Sequence, residues 1–318
     1  MIFLMPTVFT EAPSLKITLG PQEAGVFDAG VPVLAGAAGE ALFGPARPAG
    51  RVGAVALFQA GDWLLGAATV PLATELEEAT RQLYGNIFAA TRDRHLARIW
   101  NYIPALNEDG PGGLENYRGF CRGRYLAYEQ HFGSSFKALL PSASAVGART
   151  SALTVVFAAA AATPRHVENP LQVAAYDYPD AYGPRAPSFA RATVVPGAES
   201  ATVFISGTAA IRGHATVASW STRLQLECIL ENLRALGRAC GLGPGLATGA
   251  GSTRHFKVYI RYEADLPLVT ALLQEKLFGP ADHVSYLQAD ICRTDLRVEI
   301  EASFFGVTGQ TDPIRNHH

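Results

Sequence analysis

"HFKVYIRYEADLPLVTALLQEKLFGPADHVSYLQADICRTDLRVEIEASFF", residues 255–305, is the stretch that sets the fold class. Its opening HFKVYIRYE alternates as a strand does: Phe256, Val258 and Ile260 share one face, Lys257, Tyr259 and Arg261 the other. PLVTALLQEKLFG then reads as a helix, and VSYLQADIC and LRVEIEASFF as two further strands. Immediately upstream, SATVFISGTAAI (200–211) is a strand that runs into a glycine turn. A helix is predicted from about Ser219 to Cys240, with Leu224, Leu226, Cys228, Ile229, Leu233 and Leu236 on its buried side, until GLGPGLATGAGS breaks it.

The first half follows the same order. RVGAVALFQAGDWLLGAATVPL (51–72) offers two apolar strands joined at QAGD, a hairpin signal. Leu76, Ala79, Leu83, Ile87, Phe88, Leu96 and Ile99 recur at spacings near three and four, which predicts one helix from about Thr74 to Trp100. A second helix is expected over ENYRGFCRGRYLAYEQHF (115–132), after the break NEDGPGG, and SALTVVFAAAA (151–161) reads as a buried strand. Both halves are thus strands, long helix, strand, helix, strands. The expected fold class is α+β: two copies of one unit, each a mixed sheet backed by helices on one face, divided as residues 1–150 and 151–318. Residues 1–50, rich in Gly, Pro and Ala, add only short strand-like pieces, SLKITLG and VPVLAG.

Bulk properties narrow the function classes. Twenty-six basic residues against twenty-eight acidic ones give a formal charge of −2, which provides no footprint for nucleic acid or an anionic membrane. The N-terminal MIFLMPTVFT is apolar but short, lacks a basic flank and contains a proline, so it reads neither as a signal peptide nor as a membrane span. Four scattered cysteines without CxxC spacing point away from disulfides and zinc and toward a reducing, cytoplasmic setting. His214 and His255 lack metal-ligand spacing, and neither a metal nor a cofactor is expected.

Polar residues gather in the second half. YDYPDAYGPRAPSFARA (176–192) holds three prolines and must be mostly loop, yet it carries Tyr178, Tyr182, Arg185 and Arg191. A guanidinium binds a carboxylate bidentately and a phenol adds a neutral donor beside it, although a solvated surface loop has the same composition. Gly207 and Thr208 in ISGTAAIRGH allow close approach to backbone N–H groups and offer a hydroxyl donor, as do ordinary turns. Arg261 either lines a polar cleft or faces water. On the last strand, Glu299 and Glu301 lie among Val298, Ile300 and Phe304; a carboxyl walled by apolar groups has its proton affinity raised, as a general acid at neutral pH requires. The pattern alone does not choose between them. Cys292, just upstream, reads by itself as a small buried hydrophobe.

The blocks ARIWNYIPALN, LENYRGFCRGR, YGPRAPSFARA, ISGTAAIRGH, FKVYIR and VEIEASF together resemble the chorismatase family, in the family's order from about Arg98 to Phe304. Its members cleave chorismate into pyruvate and a cyclohexadiene or hydroxybenzoate acid. The resemblance implies two domains similar to RidA/YjgF-like imine deaminases and to the bacillus type of chorismate mutase, a cleft between units, a small-molecule dianion as substrate, and a monomer or a homotrimer. Tyr178 and Arg191 match pocket residues, Arg261 the carboxylate-binding arginine of the strand, and Tyr117 and Arg124 are weaker carry-overs. Glu299 aligns with the catalytic acid that protonates the enol ether.

By the same resemblance, members that form 3-hydroxybenzoate carry a cysteine seven residues before the acid, as Cys292 precedes Glu299, and a glycine matching Gly207; hydrolytic members carry alanine at the cysteine position. The implied product is 3-hydroxybenzoate. The alternatives are a dihydroxy-cyclohexadiene acid or mixed 3- and 4-hydroxybenzoate, and more remotely a RidA-like imine deaminase or metabolite-binding protein.

Overall fold

The computed structural model describes residues 12–308 apart from 22, 73 and 74. The apolar N-terminal segment and the expected helix start at Thr74 lie outside the described residues. The described residues begin with three strands, β1 (Ser14–Thr18), β2 (Val26–Gly36) and β3 (Gly39–Glu40). Then come β4 (Arg47–Val52), β5 (Val55–Ala60), β6 (Trp63–Pro71), α1 (Leu76–Ala90), β7 (His95–Pro104), α2 (Asn116–Phe132), β8 (Ser142–Ala148) and β9 (Ala152–Ala160). The second half runs β10 (Arg165–Val167), β11 (Ala192–Val195), β12 (Ala201–Ala209), the small hairpin β13 (Ile211–Arg212) and β14 (Ala215–Thr216), and α3 (Thr222–Ala239). It ends with β15 (Thr253–Ile260), α4 (Leu266–Lys276), β16 (His283–Gln288) and β17 (Val298–Val307).

The duplication read from the sequence is visible in the strand order. One sheet runs β4-β5-β6-β9-β7-β8; the other contains β10-β11-β12-β17-β15-β16, the same path through equivalent strands. In each six-strand set one neighbouring pair is parallel, β7 with β8 and β15 with β16, and a helix links each pair, α2 in the first and α4 in the second. Parallel neighbours need such a crossover, whereas the antiparallel pairs close through turns. The hairpin at QAGD joins β5 to β6 as expected.

Two expectations change in detail. The long helix ends at Ala90, where a turn at Thr91–Arg94 leads into β7, so Leu96 and Ile99 belong to a strand. RIWNYI is rich in aromatic and β-branched residues, and pairing with β8 and β9 overrides the helix-like spacing. A cut at residue 150 also leaves β9 in the second half, although β9 pairs with β6 and β7; meanwhile β2 pairs with β16, so β1–β3 extend the second sheet.

The layers are helix, sheet, sheet, helix. Leu83, Ile87 and Phe88 of α1 and Phe120 and Tyr128 of α2 pack on Val155 and Phe157 of the first sheet. Leu226, Ile229 and Leu233 of α3 pack on Val258, Ile300 and Phe304 of the second. The two inner faces meet through Leu65, Trp100, Val156, Phe204, Tyr259 and Leu287. Alternation along β17 therefore turns Ile300, Ala302 and Phe304 toward the α3 side and puts Glu299 and Glu301 on the inner face. Each of those aromatic or aliphatic side chains contributes roughly 1.5–3 kcal/mol by leaving water, which is what holds two carboxyls in an otherwise unfavourable place.

Candidate active site

At one end of the junction between the units lies a cavity of about 620 Å³, a size ordinary for a small-molecule site. The first unit contributes Tyr117, Arg118 and Arg124 from α2 and Ala143–Ala145 from β8. The second contributes Tyr178, Tyr182, Phe189 and Arg191 from the proline-rich loop, Gly207 from β12, Cys292 and Arg293 from the loop before β17, and Glu299 from β17 itself.

Two guanidiniums in this wall form no salt bridge among the described residues, although Glu168 and Glu299 both feel the charge of Arg191. Arg124 is 1% exposed and lies over Phe120 and Phe189, 5.0 and 5.9 Å from the ring centres. Arg191, 4% exposed, donates to Tyr178 Oη at 2.8 Å and to the Val173 carbonyl at 3.1 Å, with Phe189 beneath it at 5.1 Å. In both, Nε is buried and has no hydrogen-bond partner. No carboxylate among the described residues forms a salt bridge with either of them. Buried cations of this kind are costly unless an anion completes them, so this part of the wall favours negative charge.

Glu299 is 4% exposed, and its carboxyl lies against the backbone of Gly207: a Cβ at that position would stand 2.6 Å from Glu299 Cδ, so any larger residue has to displace the acid. Burial first and the charge of Glu301 second push its pKa up to about 8, against the pull of Arg98 and Arg191. Glu301, two residues on, does not line the cavity. Its oxygens accept from Arg98 Nη2 (2.8 Å), Trp100 Nε1 (2.8 Å), Lys257 Nζ (3.0 Å), Tyr259 Oη (3.2 Å) and the Ser144 hydroxyl. Burial alone would raise this carboxyl as well, but Lys257 and Arg98 together with the bond from Ser144 hold it at about 2. The first unit supplies Arg98, Trp100 and Ser144. The N-terminal strand β3 supplies a further partner, Glu40, at 2.5 Å from Lys257.

The Cys292 thiol is partly buried and is pushed up to about 12, by burial and then by Glu299, so it stays protonated. Tyr117 is likewise raised, chiefly by burial, and remains a neutral phenol.

Of the residues expected from sequence, Glu299, Cys292, Tyr178, Arg191, Gly207, Tyr117 and Arg124 come together on this cavity. Thr208 and Arg261 do not. A pairing irregularity between Ile205 and Thr208 turns the strand, and Thr208 Oγ1 donates to the Ser206 carbonyl at 2.9 Å. Arg261 lies behind the wall, engaged with backbone carbonyls of the 290–297 loop. Arg293 went unforeseen; its guanidinium lies 4.0 Å from the centre of the Tyr182 ring and 5.4 Å from Tyr178. Its position directly after Cys292 was the available signal. Arg98 was hidden because its segment read as helix.

Fold and site define a two-unit α+β protein whose unit junction holds an anion-receptive cavity beside a buried, proton-retaining carboxyl. The family model described as chorismatase FkbO/Hyg5-like, N-terminal, matches residues 44–159. A 3-hydroxybenzoate synthase of Streptomyces hygroscopicus is 38% identical over 255 residues, covering 76% of this chain and 73% of the relative. A chorismatase of Streptomyces rapamycinicus is 39% identical over 264 residues, covering 80% and 78%. A chorismatase crystal structure superposes with a TM-score of 0.73 at 35% identity, covering 81% of this chain and 80% of that one. This chain belongs to the chorismatase family. Among the described residues, no helix is long and apolar enough to cross a membrane.

Proposed function

We propose that this chain cleaves chorismate to pyruvate and 3-hydroxybenzoate. The observation that carries the reading is the presence on one cavity of Glu299, a carboxyl raised to about 8, and of Arg124 and Arg191, each with a buried Nε that has no hydrogen-bond partner. Chorismate is a small dianion whose enol ether needs a proton on its terminal methylene carbon. Its two carboxylates suit two guanidiniums supplied by different units, with the Tyr178 phenol beside Arg191. Arg124 takes the part expected of Arg261.

Glu299 gives its proton to the methylene carbon, and positive charge develops at the ether-bearing carbon of the pyruvyl arm. The oxygen of the neighbouring ring hydroxyl attacks the ring carbon as its bond to the ether oxygen breaks; pyruvate leaves with its carbonyl formed, and the hydroxyl proton returns to Glu299. The resulting epoxide opens, the ring carbon loses a proton, and that proton ends on the phenol oxygen. Atoms balance with no water and no redox partner, so the proposed reaction calls for no cofactor. Cys292, protonated and on the cavity wall, can give and take a proton during the opening. The relative named 3-hydroxybenzoate synthase, the cysteine spacing and Gly207 support this branch. Action on a soluble small molecule in the cytoplasm, by a monomer or a homotrimer, belongs to the same proposal, as does a division into two domains, with the boundary moved from residue 150 to the C-terminal side of β9.

Chorismate incubated with the purified protein is expected to give pyruvate and 3-hydroxybenzoate in equal amounts by liquid chromatography. Unchanged chorismate with well-folded protein overturns the activity; a dihydroxy-cyclohexadiene acid keeps the activity and overturns the branch.

A further inference from the structure

The loop between β16 and β17 brings Cys292 and Arg293 to the cavity without regular secondary structure of its own. Arg261, the residue after β15, meets that loop from behind. A guanidinium has five N–H donors in a fixed planar fork. Here Nε donates to the Leu296 carbonyl (2.8 Å), and Nη2 to the carbonyls of Ile291 (3.0 Å) and Arg293 (2.8 Å). Nη1 donates to Asp290 Oδ1 (2.5 Å) and to Asn107 Oδ1 (3.1 Å). Five donors meet five acceptors, and none is left for a substrate carboxylate. Three of the acceptors are loop carbonyls, those of Ile291 and Leu296 on either side of Cys292 and Arg293 and that of Arg293 itself. Asn107 is a cavity residue from the first unit, so the same side chain also ties the loop to the facing wall. The Arg261 main-chain N–H closes the loop's far end on the Arg297 carbonyl at 2.9 Å.

We infer that Arg261 is a positioning residue: by holding the 290–297 loop it fixes the Cys292 thiol relative to Glu299 and so determines which product leaves. The product half of this inference rests on the proposed function; the loop half does not. A rigid planar fork is needed because the acceptors point at one side chain from different directions, and a single ammonium cannot span them.

Arg261→Lys keeps the charge and removes the fork. Two readouts test it. Cys292 is the partly buried cysteine and the other three are buried, so a maleimide followed by peptide mapping reports on this loop without any substrate. Labelling of Cys292 is expected to speed up at least about fivefold, in keeping with local opening of a segment that has lost its anchors. With chorismate, kcat is expected to fall by between about ten- and a hundredfold, the cost of a misplaced reacting group. KM should change by less than about threefold, and the share of non-aromatic diene acid should rise. A KM raised about a hundredfold with an unchanged product ratio would make Arg261 a carboxylate ligand and overturn the inference. Unchanged labelling overturns it whether or not chorismate is turned over. If the lysine variant does not fold, Asp290→Ala removes one anchor from a half-exposed position and must give the same two changes, smaller; their absence there overturns the inference equally.

Discussion

Glu301 sits where the inner faces of the two sheets meet, with five donors from β7, β8 and β15 converging on its oxygens. Glu299, one pleat nearer the sheet end, lies on the bare backbone of Gly207 and opens onto the cavity. The two carboxyls share a strand, a face and near-complete burial, yet one is held at about 2 and the other at about 8. What separates them is the supply of donors. Docking one unit on the other gathers Arg98, Trp100, Ser144, Lys257 and Tyr259 around a single acid. The charge so fixed then works against ionisation of its neighbour. Two glutamates with opposed protonation states at neutral pH follow from that allocation.

The largest break in this comparison comes from Glu299→Gln. Removing the proton is expected to lower kcat by about 10²–10⁴-fold, the usual worth of a positioned general acid, while chorismate still raises Tm because Arg124 and Arg191 are intact. If Glu301→Gln abolishes turnover at pH 6 and Glu299→Gln does not, the two roles are exchanged and the assignment fails. In the unaltered protein kcat/KM should decline with a single proton dependence as pH rises through about 8, where Glu299 loses its proton.

How much of this contrast could be read from the chain is itself instructive. Alternation placed Glu299 and Glu301 on one face of a strand, and the paired strand–helix order gave the duplicated α+β unit. Periodicity could not separate the two acids, because what distinguishes them comes from β7 and β8, far away in sequence. Arg98 and Trp100 lay in a segment whose spacing imitated a helix, and β8, with its small residues SASAVGA, carried no strand signal strong enough to be seen. Thr208 failed for a local reason, the irregular pairing in β12. Arg261 was matched by resemblance to a ligand role, while its hydrogen bonds bind the loop. The first forty residues, read only as short strand-like pieces with no part in the site, supply Glu40 to Lys257.

Glu301→Gln breaks the comparison from the other side, with a smaller effect on rate and a larger one on stability. It leaves Arg98 buried without its ion partner and Lys257 with Glu40 alone, an arrangement whose cost is about 3–5 kcal/mol in urea unfolding. It also removes the negative charge nearest Glu299, so ionisation there becomes easier and the alkaline fall in kcat/KM should move below pH 8. The sign of the stability change with pH follows. Glu301, depressed from the ordinary 4.5 to about 2, adds stability that is complete above pH 4.5 and is lost as pH falls from 4.5 through about 2. Glu299, raised to about 8, adds stability that is complete below 4.5 and is lost as pH rises through about 8. An E301Q protein with unchanged stability and an unchanged alkaline limb would mean that the donor cluster is not what separates the two acids.

The finest adjustment is Cys292→Ala. Here the acid and both guanidiniums stay, so protonation of the enol ether should proceed with kcat within about tenfold of the starting value. What changes is the fate of the ring. The thiol, kept protonated by burial and by Glu299, is a weak donor on the cavity wall, and a methyl group would leave that place to water. The product should therefore move from 3-hydroxybenzoate toward the dihydroxy-cyclohexadiene acid, measured as the ratio of the two peaks from one reaction. Because a ratio within one sample does not depend on how much enzyme is active, even a twofold shift is decisive in direction. An unchanged ratio would remove Cys292 from the chemistry and leave the choice of product to Gly207 and the carboxyl it makes room for.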